Sequence, residues 1–241
     1  MTHGVPTPPT GDPMSALAGR LNQVRKRIAE AAAVAARDPS TITLIAVGKT
    51  FPAEVVSEAV EAGATDLGEN RVQEAVAKRP QVPTARWHLI GPLQRNKAKV
   101  ALETFDLIHT LDRIELADRL QTLLTQHWPE RRMPVLLEVN VGREPQKAGA
   151  LPEEAHELFR HAVSCDRLDV RGLMAIPPWG DDPEASRPYF RELRDLREQL
   201  EQTEQVPLPE LSIGMSHDFE VAIAEGATMV RVGTAIFGRR E

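Results

Sequence analysis

The residue with the most chemistry available to it is Lys49, which closes the run Thr41-Ile-Thr-Leu-Ile-Ala-Val-Gly-Lys-Thr50. The β-branched and aliphatic residues before it read as a strand buried on both faces. Lys49 then stands at the carboxyl end of that strand, where α/β proteins bind ligands. A single lysine there is also, more plainly, a strand end meeting water. Two glycine-bearing stretches far along the chain change its standing. Leu211-Ser-Ile-Gly-Met-Ser-His-Asp-Phe219 carries Gly214 and sets Ser216 at the expected N-cap of the next helix; Arg231-Val-Gly-Thr-Ala-Ile-Phe-Gly238 carries Gly233 followed by Thr234. Glycines let backbone N–H groups approach an anion, and Ser216 and Thr234 each offer a hydroxyl. Taken singly, each is an ordinary cap or turn. Taken together, an amine beside a phosphate cradle suits a phosphorylated aldehyde that forms a Schiff base.

These residues meet only if the fold brings the first strand beside the last. An amphipathic helix over 14–37 precedes eight strand-like segments, at 41–49, 66–69, 86–91, 107–111, 134–141, 168–176, 211–215 and 229–233, each followed by a helical or turn-forming stretch. Pro52 opens the first of the helices between them and Gly63 is its natural C-cap. Eight such units are the count of a single (β/α)8 barrel of the TIM type, here with an extra N-terminal helix, and 241 residues suit a fold of about 250. A doubly wound sheet needs fewer strands, and no Gly-x-Gly-x-x-Gly follows the first strand, so that fold ranks second.

Barrel closure sets the eighth strand beside the first, at a spacing of about 4.8 Å. Lys49 then shares a mouth with the loops after strands seven and eight, the recurrent phosphate position of this fold. Pyridoxal 5'-phosphate carries an aldehyde and a phosphate on one ring. Desolvation in the mouth, with a second cation nearby, would favour the neutral, reactive amine of Lys49. Arg231 shares the strand parity of Gly233 and is the candidate cation. Facing a pyridine nitrogen, a guanidinium can only donate; it would keep that nitrogen unprotonated and weaken the ring as an electron sink. The alternative is an interior arginine paired with a carboxylate such as Glu138.

Composition narrows the field. Hydrophobic residues at 41% and charged residues at 27% are ordinary globular usage, and no apolar run approaches the length of a membrane span. A net charge of −6 argues against a general grip on nucleic acid. The single cysteine, Cys165, cannot form an internal disulfide and reads as a small packed residue at a helix end. Residues 1–13 read as a flexible tail with no signal-peptide pattern and 14–241 as the barrel domain, with a cytoplasmic location as the default. His88 and Asn140 read as hydrogen-bonded interior residues, and Arg95-Asn-Lys-Ala-Lys99 as a solvated basic face. His109, His217 and Cys165 show no metal-ligand spacing, so no metal is expected.

Several motifs carry a family resemblance: Ala46-Val-Gly-Lys-Thr50, Gly68-Glu-Asn-Arg71, Trp87-His-Leu-Ile-Gly-Pro-Leu-Gln94 with Asn96-Lys97, Gly172-Leu-Met174, Gly214-Met-Ser216 and Arg231-Val-Gly-Thr-Ala-Ile-Phe-Gly238. They fall in the order of the pyridoxal phosphate homeostasis proteins, the YggS/PROSC family, which the chain resembles from its first helix to its last glycine. The resemblance implies a fold-type III barrel like the N-terminal domain of alanine racemase, with Lys49 as the aldimine lysine. It further implies Ser216, Gly233 and Thr234 at the phosphate, Arg231 at the ring nitrogen, and Asn70, Met174, Ser212 and Gly214 lining the cofactor. Gly48 stands where many members have serine, and Ala175 where cysteine or another small residue is common.

The resemblance points to a carrier that holds pyridoxal phosphate and hands it on by transient contact with apoenzymes, as a monomer. A racemase or decarboxylase is the second reading. Such barrels use a second domain, for which no length is expected to remain, and racemisation needs a base on each face of the substrate. Tyr189, the only tyrosine, falls in the helix after strand six and is poorly placed to be one. A cofactor-free Schiff-base aldolase is the third.

Overall fold

Eight parallel strands hydrogen-bond in chain order and the last pairs with the first, which closes the barrel and removes the doubly wound alternative. The computed structural model describes residues 13–238. In order the elements are α1 (Pro13–Val34), β1 (Thr43–Val47), α2 (Ala53–Glu61), β2 (Asp66–Glu69), α3 (Val72–Lys78), β3 (Arg86–Leu89), α4 (Ala98–Thr104), β4 (Leu107–Leu111) and α5 (Ile114–His127). They continue with β5 (Met133–Glu138), α6 (Ala155–Ser164), β6 (Leu168–Met174), α7 (Arg187–Glu204), β7 (Glu210–Met215), α8 (Phe219–Ala224), β8 (Met229–Val232) and the short α9 (Thr234–Phe237). The expected tail lies outside the described residues, apart from Pro13, with which α1 begins. No helix among the described residues is long and apolar enough to cross a membrane.

Leu17, Leu21, Val24, Ile28 and Ala32 recur at helical spacing and are all buried, which fixes the face that α1 lays against α8, α9 and α2. Each large side chain so covered contributes about 1.5–3 kcal/mol. Arg20 donates to the Ile236 carbonyl at 2.6 Å, and Arg27 pairs with Glu220 and lies 4.5 Å over the Phe219 ring. α1 therefore clasps the seam where β8 meets β1, outside the barrel. It stops at Val34 rather than at Arg37 because Ala36 turns left-handed, with φ of 53°. At the end of α2, Gly63 takes φ of 96°, the left-handed cap expected of it.

The core has two layers of different chemistry. Between helices and strands the packing is apolar, with Trp87, Phe105, Phe159, Phe190 and Phe219 all fully buried. Inside the barrel a small apolar cluster of Ile45, Leu136, Met174 and Met229 shares the space with Asp66, His88, His109, Glu138, Ser212 and Arg231. Barrels of this kind are ordinarily filled by branched aliphatic residues. Polar side chains tolerate such burial only when hydrogen-bonded, so their partners define the site.

Candidate functional site

β1 ends at Val47, and Lys49 sits two residues beyond it in the turn Gly48–Phe51, closed by a bond from the Phe51 N–H to the Gly48 carbonyl at 3.1 Å. Thr50 adopts φ of 67°, unfavourable for a β-branched residue, and surrounding contacts hold it there. The Thr50 N–H donates to Glu74 at 2.8 Å. Beneath the turn, the buried Lys78 ammonium donates to the Gly48 carbonyl at 3.0 Å and to Glu69 at 2.6 Å, with Glu74 at 3.7 Å. Burial pushes the Glu69 carboxyl up despite Lys78, and its second oxygen has no hydrogen-bond partner among the described residues. The backbone that carries Lys49 is thus pinned from below. The Lys49 side chain itself is exposed, which corrects the expected desolvation: the strand stops short of the lysine, so the barrel wall does not enclose it.

Across the β1–β8 seam, Ile45 is level with Arg231 and Ala46 with Val232, so the Lys49 turn and Gly233 are neighbours. A Cβ on Gly233 would stand 3.3 Å from the Val47 carbonyl. The N–H groups of Gly233 and Ala235 converge on the Ser216 hydroxyl oxygen at 3.2 and 3.3 Å. Two backbone donors aimed at one point are the geometry that anion-binding loops use, and the long distances leave both weakly engaged. Ser216 is not the N-cap it was expected to be. That position belongs to Asp218, whose carboxylate accepts from the Met215 N–H at 2.7 Å and from the Ser186 hydroxyl at 2.8 Å. Ser216 is thereby free to reach across to β8. Thr234 opens α9 and is exposed beside it. Gly214 takes φ of 87°, and a Cβ there would stand 2.6 Å from the Ala222 methyl, so only glycine lets α8 pack this close behind the cradle.

Arg231 lies inside the barrel, 3% exposed. Its guanidinium donates to the Ser212 carbonyl at 2.6 Å, the Ser212 hydroxyl at 2.7 Å and the Ala175 carbonyl at 2.9 Å. The alternative pairing with Glu138 does not form. Burial lowers the Arg231 pKa to about 10, opposed by the charges of Asp218 and Glu138, so it stays a cation. Glu138 is pushed up to about 7 by burial and by Asp112, against the pull of Arg231, and one of its oxygens has no partner among the described residues.

Ser212 is also the end of a longer chain. Its hydroxyl is 2.9 Å from His109 Nδ1; His109 Nε2 is 2.9 Å from His88 Nδ1; and His88 Nε2 is 2.9 Å from Asp66. Burial, with His88 and Arg231 nearby, holds His109 well below the ordinary imidazole range. Burial would raise Asp66, but the bonds from His88 and Thr65 and the charge of Arg86 outweigh it and hold the carboxyl low.

Of the remaining expected residues, Met174 ends β6 in the apolar cluster inside the barrel. Asn70 follows β2 and lines a cleft with Arg71, Pro92, Gln94 and Lys97. Asn140 is an interior residue, as expected, bonded through both amide ends to the backbone of Glu144. Arg95 and Lys99 are exposed on the basic face. Reasoning from sequence missed Lys78, Glu69 and Glu74 under the turn and considered His109 only as a metal ligand. Strand parity was the one signal for the histidines, since residues two apart on a strand share a face. The expectation of no metal rested on His109, His217 and Cys165. The fold instead sets Cys165 near His161 and Asp118, on the outer face between α5 and α6, where the His161 ring already bonds Asp118 at 2.7 Å.

The family described as "Alanine racemase, N-terminal domain" matches residues 19–241. A pyridoxal phosphate homeostasis protein of Aquifex aeolicus is 46% identical over 224 residues, covering 92% of this chain and 97% of that one. The protein of the same name from Escherichia coli K12 is 42% identical over 238 residues, covering 95% and 98%. PipY of Synechococcus elongatus has been solved without pyridoxal phosphate and with it bound. These structures have TM-scores of 0.81 and 0.80 at 38% identity, and each comparison covers 92% of this chain and all of PipY. An alanine racemase of Clostridium difficile, at 15% identity and a TM-score of 0.75 over 94% of this chain and 60% of its own, is similar in fold.

Proposed function

Because the chain belongs to the pyridoxal phosphate homeostasis proteins, within the alanine racemase N-terminal domain family, we propose that it binds pyridoxal 5'-phosphate at the β1–β8 mouth. There it holds the cofactor for delivery to other proteins. The observation that carries this is the meeting of three groups at one seam: the exposed amine of Lys49, the N–H cradle of Gly233 and Ala235 around Ser216, and the guanidinium of Arg231. A small ring with a phosphate on one side and an aldehyde on the other would call on all three. Bound there, the group supplies an electrophilic carbon and an electron-withdrawing ring. Lys49 would hold the group by offering its primary amine to that carbon. Ser216, Gly233 and Thr234 would receive the phosphate, Arg231 would face the ring nitrogen, and Asn70, Met174, Ser212 and Gly214 would form the surroundings.

The protein is a carrier and not a sustained catalyst. Arg231, which only donates, would keep the ring nitrogen unprotonated and the ring a weak electron sink. Tyr189 lies on α7, partly buried against the helix–strand layer, and is not counted as a second base. Holding the cofactor and passing it to apoenzymes is then the chemistry the mouth retains, in a barrel expected to act as a monomer. The test is to add pyridoxal phosphate to purified protein and follow visible absorbance. A saturable new band is expected, followed by reactivation of an apoenzyme and no multiple-turnover exchange of amino-acid α-protons. No band refutes the binding site, and steady exchange refutes the carrier reading.

A further inference from the structure

Arg231 is held by one end of a buried chain of hydrogen bonds that crosses the barrel from β8 to β2. From Arg231 it passes to the Ser212 hydroxyl at 2.7 Å, then to His109, His88 and Asp66 in steps of 2.9 Å. β4 and β7 are not neighbours in the barrel, so His109 reaches Ser212 only through the lumen. Asp66 also accepts from the Thr65 hydroxyl at 2.7 Å and from Arg86, whose side chain opens to solvent. Proceeding from the reading of the mouth above, we propose that His109 and His88 are positioning residues for Arg231. They turn the Ser212 hydroxyl hydrogen into the barrel, so that its oxygen is left to hold the guanidinium.

The direction of the chain follows from its ends. A guanidinium can only donate and an ionised carboxylate can only accept. Ser212 accepts from Arg231 and gives its hydrogen to His109 Nδ1; His109 gives from Nε2 to His88 Nδ1; His88 gives from Nε2 to Asp66. Each ring nitrogen then has one partner and each ring one proton. Turning His109 over would aim its N–H at Ser212, and His88 would need two protons to serve both His109 and Asp66. Around the chain, Arg86 faces Asp66, Asp106 lies within electrostatic reach of His88, and Glu138 and Asp218 act on Arg231. The mechanism of cofactor attachment leaves His88 and His109 unused, yet both are almost wholly buried.

Two measurements on the full chain test this. Without pyridoxal phosphate, ¹H–¹⁵N correlation spectra of histidine-labelled protein should place the His109 proton on Nε2, with Nδ1 bare; a proton on Nδ1 overturns the proposal. His109→Asn keeps an acceptor at the Nδ1 position, whereas His109→Leu has a similar volume and no polar atom. Titrated with pyridoxal phosphate, the leucine variant should bind about tenfold more weakly, the order of one lost hydrogen bond to a charged assembly, with a displaced absorbance maximum. The asparagine variant should recover most of both. Equal behaviour of the two variants overturns the positioning role. If the unaltered protein takes up no pyridoxal phosphate, the proposed function falls, while the proton on His109 still decides the chain.

Discussion

The two cations at the mouth are held in opposite ways. Lys49 projects into solvent from a strained turn whose backbone is fixed from beneath by Lys78 and Glu74, so its frame is rigid and its amine is free. Arg231 is buried to its tip, and carbonyls of two strands and a hydroxyl immobilise its charged group. The contrast suits different tasks. A group that must bond to an incoming carbonyl and release it again needs access, whereas a group that sets the electronic character of a ring needs to stay in place. Both arrangements lie at one seam, because β1 and β8 meet only on closure of the barrel.

The sharpest way to break the comparison is Lys49→Ala. If the free amine is the attachment point, this change removes the visible band completely. It should leave the thermal midpoint within about 2 °C, as exposed substitutions do; a band that survives would move attachment elsewhere. The support beneath the turn is tested next by Lys78→Met, which strands the buried Glu69 carboxylate and should cost about 3–5 kcal/mol in urea unfolding. Adding Glu69→Gln should recover part of that loss, since no charge is then left unpaired. A loss under about 1 kcal/mol would rank the pair with surface ion pairs.

The environment of Arg231 is tested by pH. The Glu138 carboxyl is raised from its ordinary value to about 7, so the folded chain binds that proton more tightly than the unfolded chain. Its contribution to stability is full below pH 4.5 and is lost as pH rises toward 7, by an amount on the order of 3 kcal/mol. Glu138→Gln without cofactor should therefore match the parent near pH 4 and exceed it at pH 8. A difference independent of pH would contradict the burial argument. The smallest effect is expected from Thr50→Gly, which relieves the left-handed strain at the price of backbone freedom and should stabilise by at most about 1 kcal/mol.

The barrel was legible because strand and helix periods alternate eight times, and barrel closure then predicted the nearness of Lys49 to Gly233 without any contact being known. Local rules failed where a tertiary contact outweighed them. Ser216 has the chemistry of a helix cap, but Asp218 takes that position and Ser216 bonds across to the turn after β8. The exposure of Lys49 depends on the strand ending at Val47, and strand ends are the least certain part of any pattern. The chain from Arg231 to Asp66 was hidden for a different reason. Strand parity shows that His88 and His109 face inward, but not which of the other strands each reaches across the lumen.

The most direct measurement is borohydride reduction of the protein loaded with pyridoxal phosphate, followed by peptide mapping. The pyridoxyl group should be found on Lys49 alone, at close to one per chain. Label on the buried Lys78, spread over surface lysines, or absent would contradict the account.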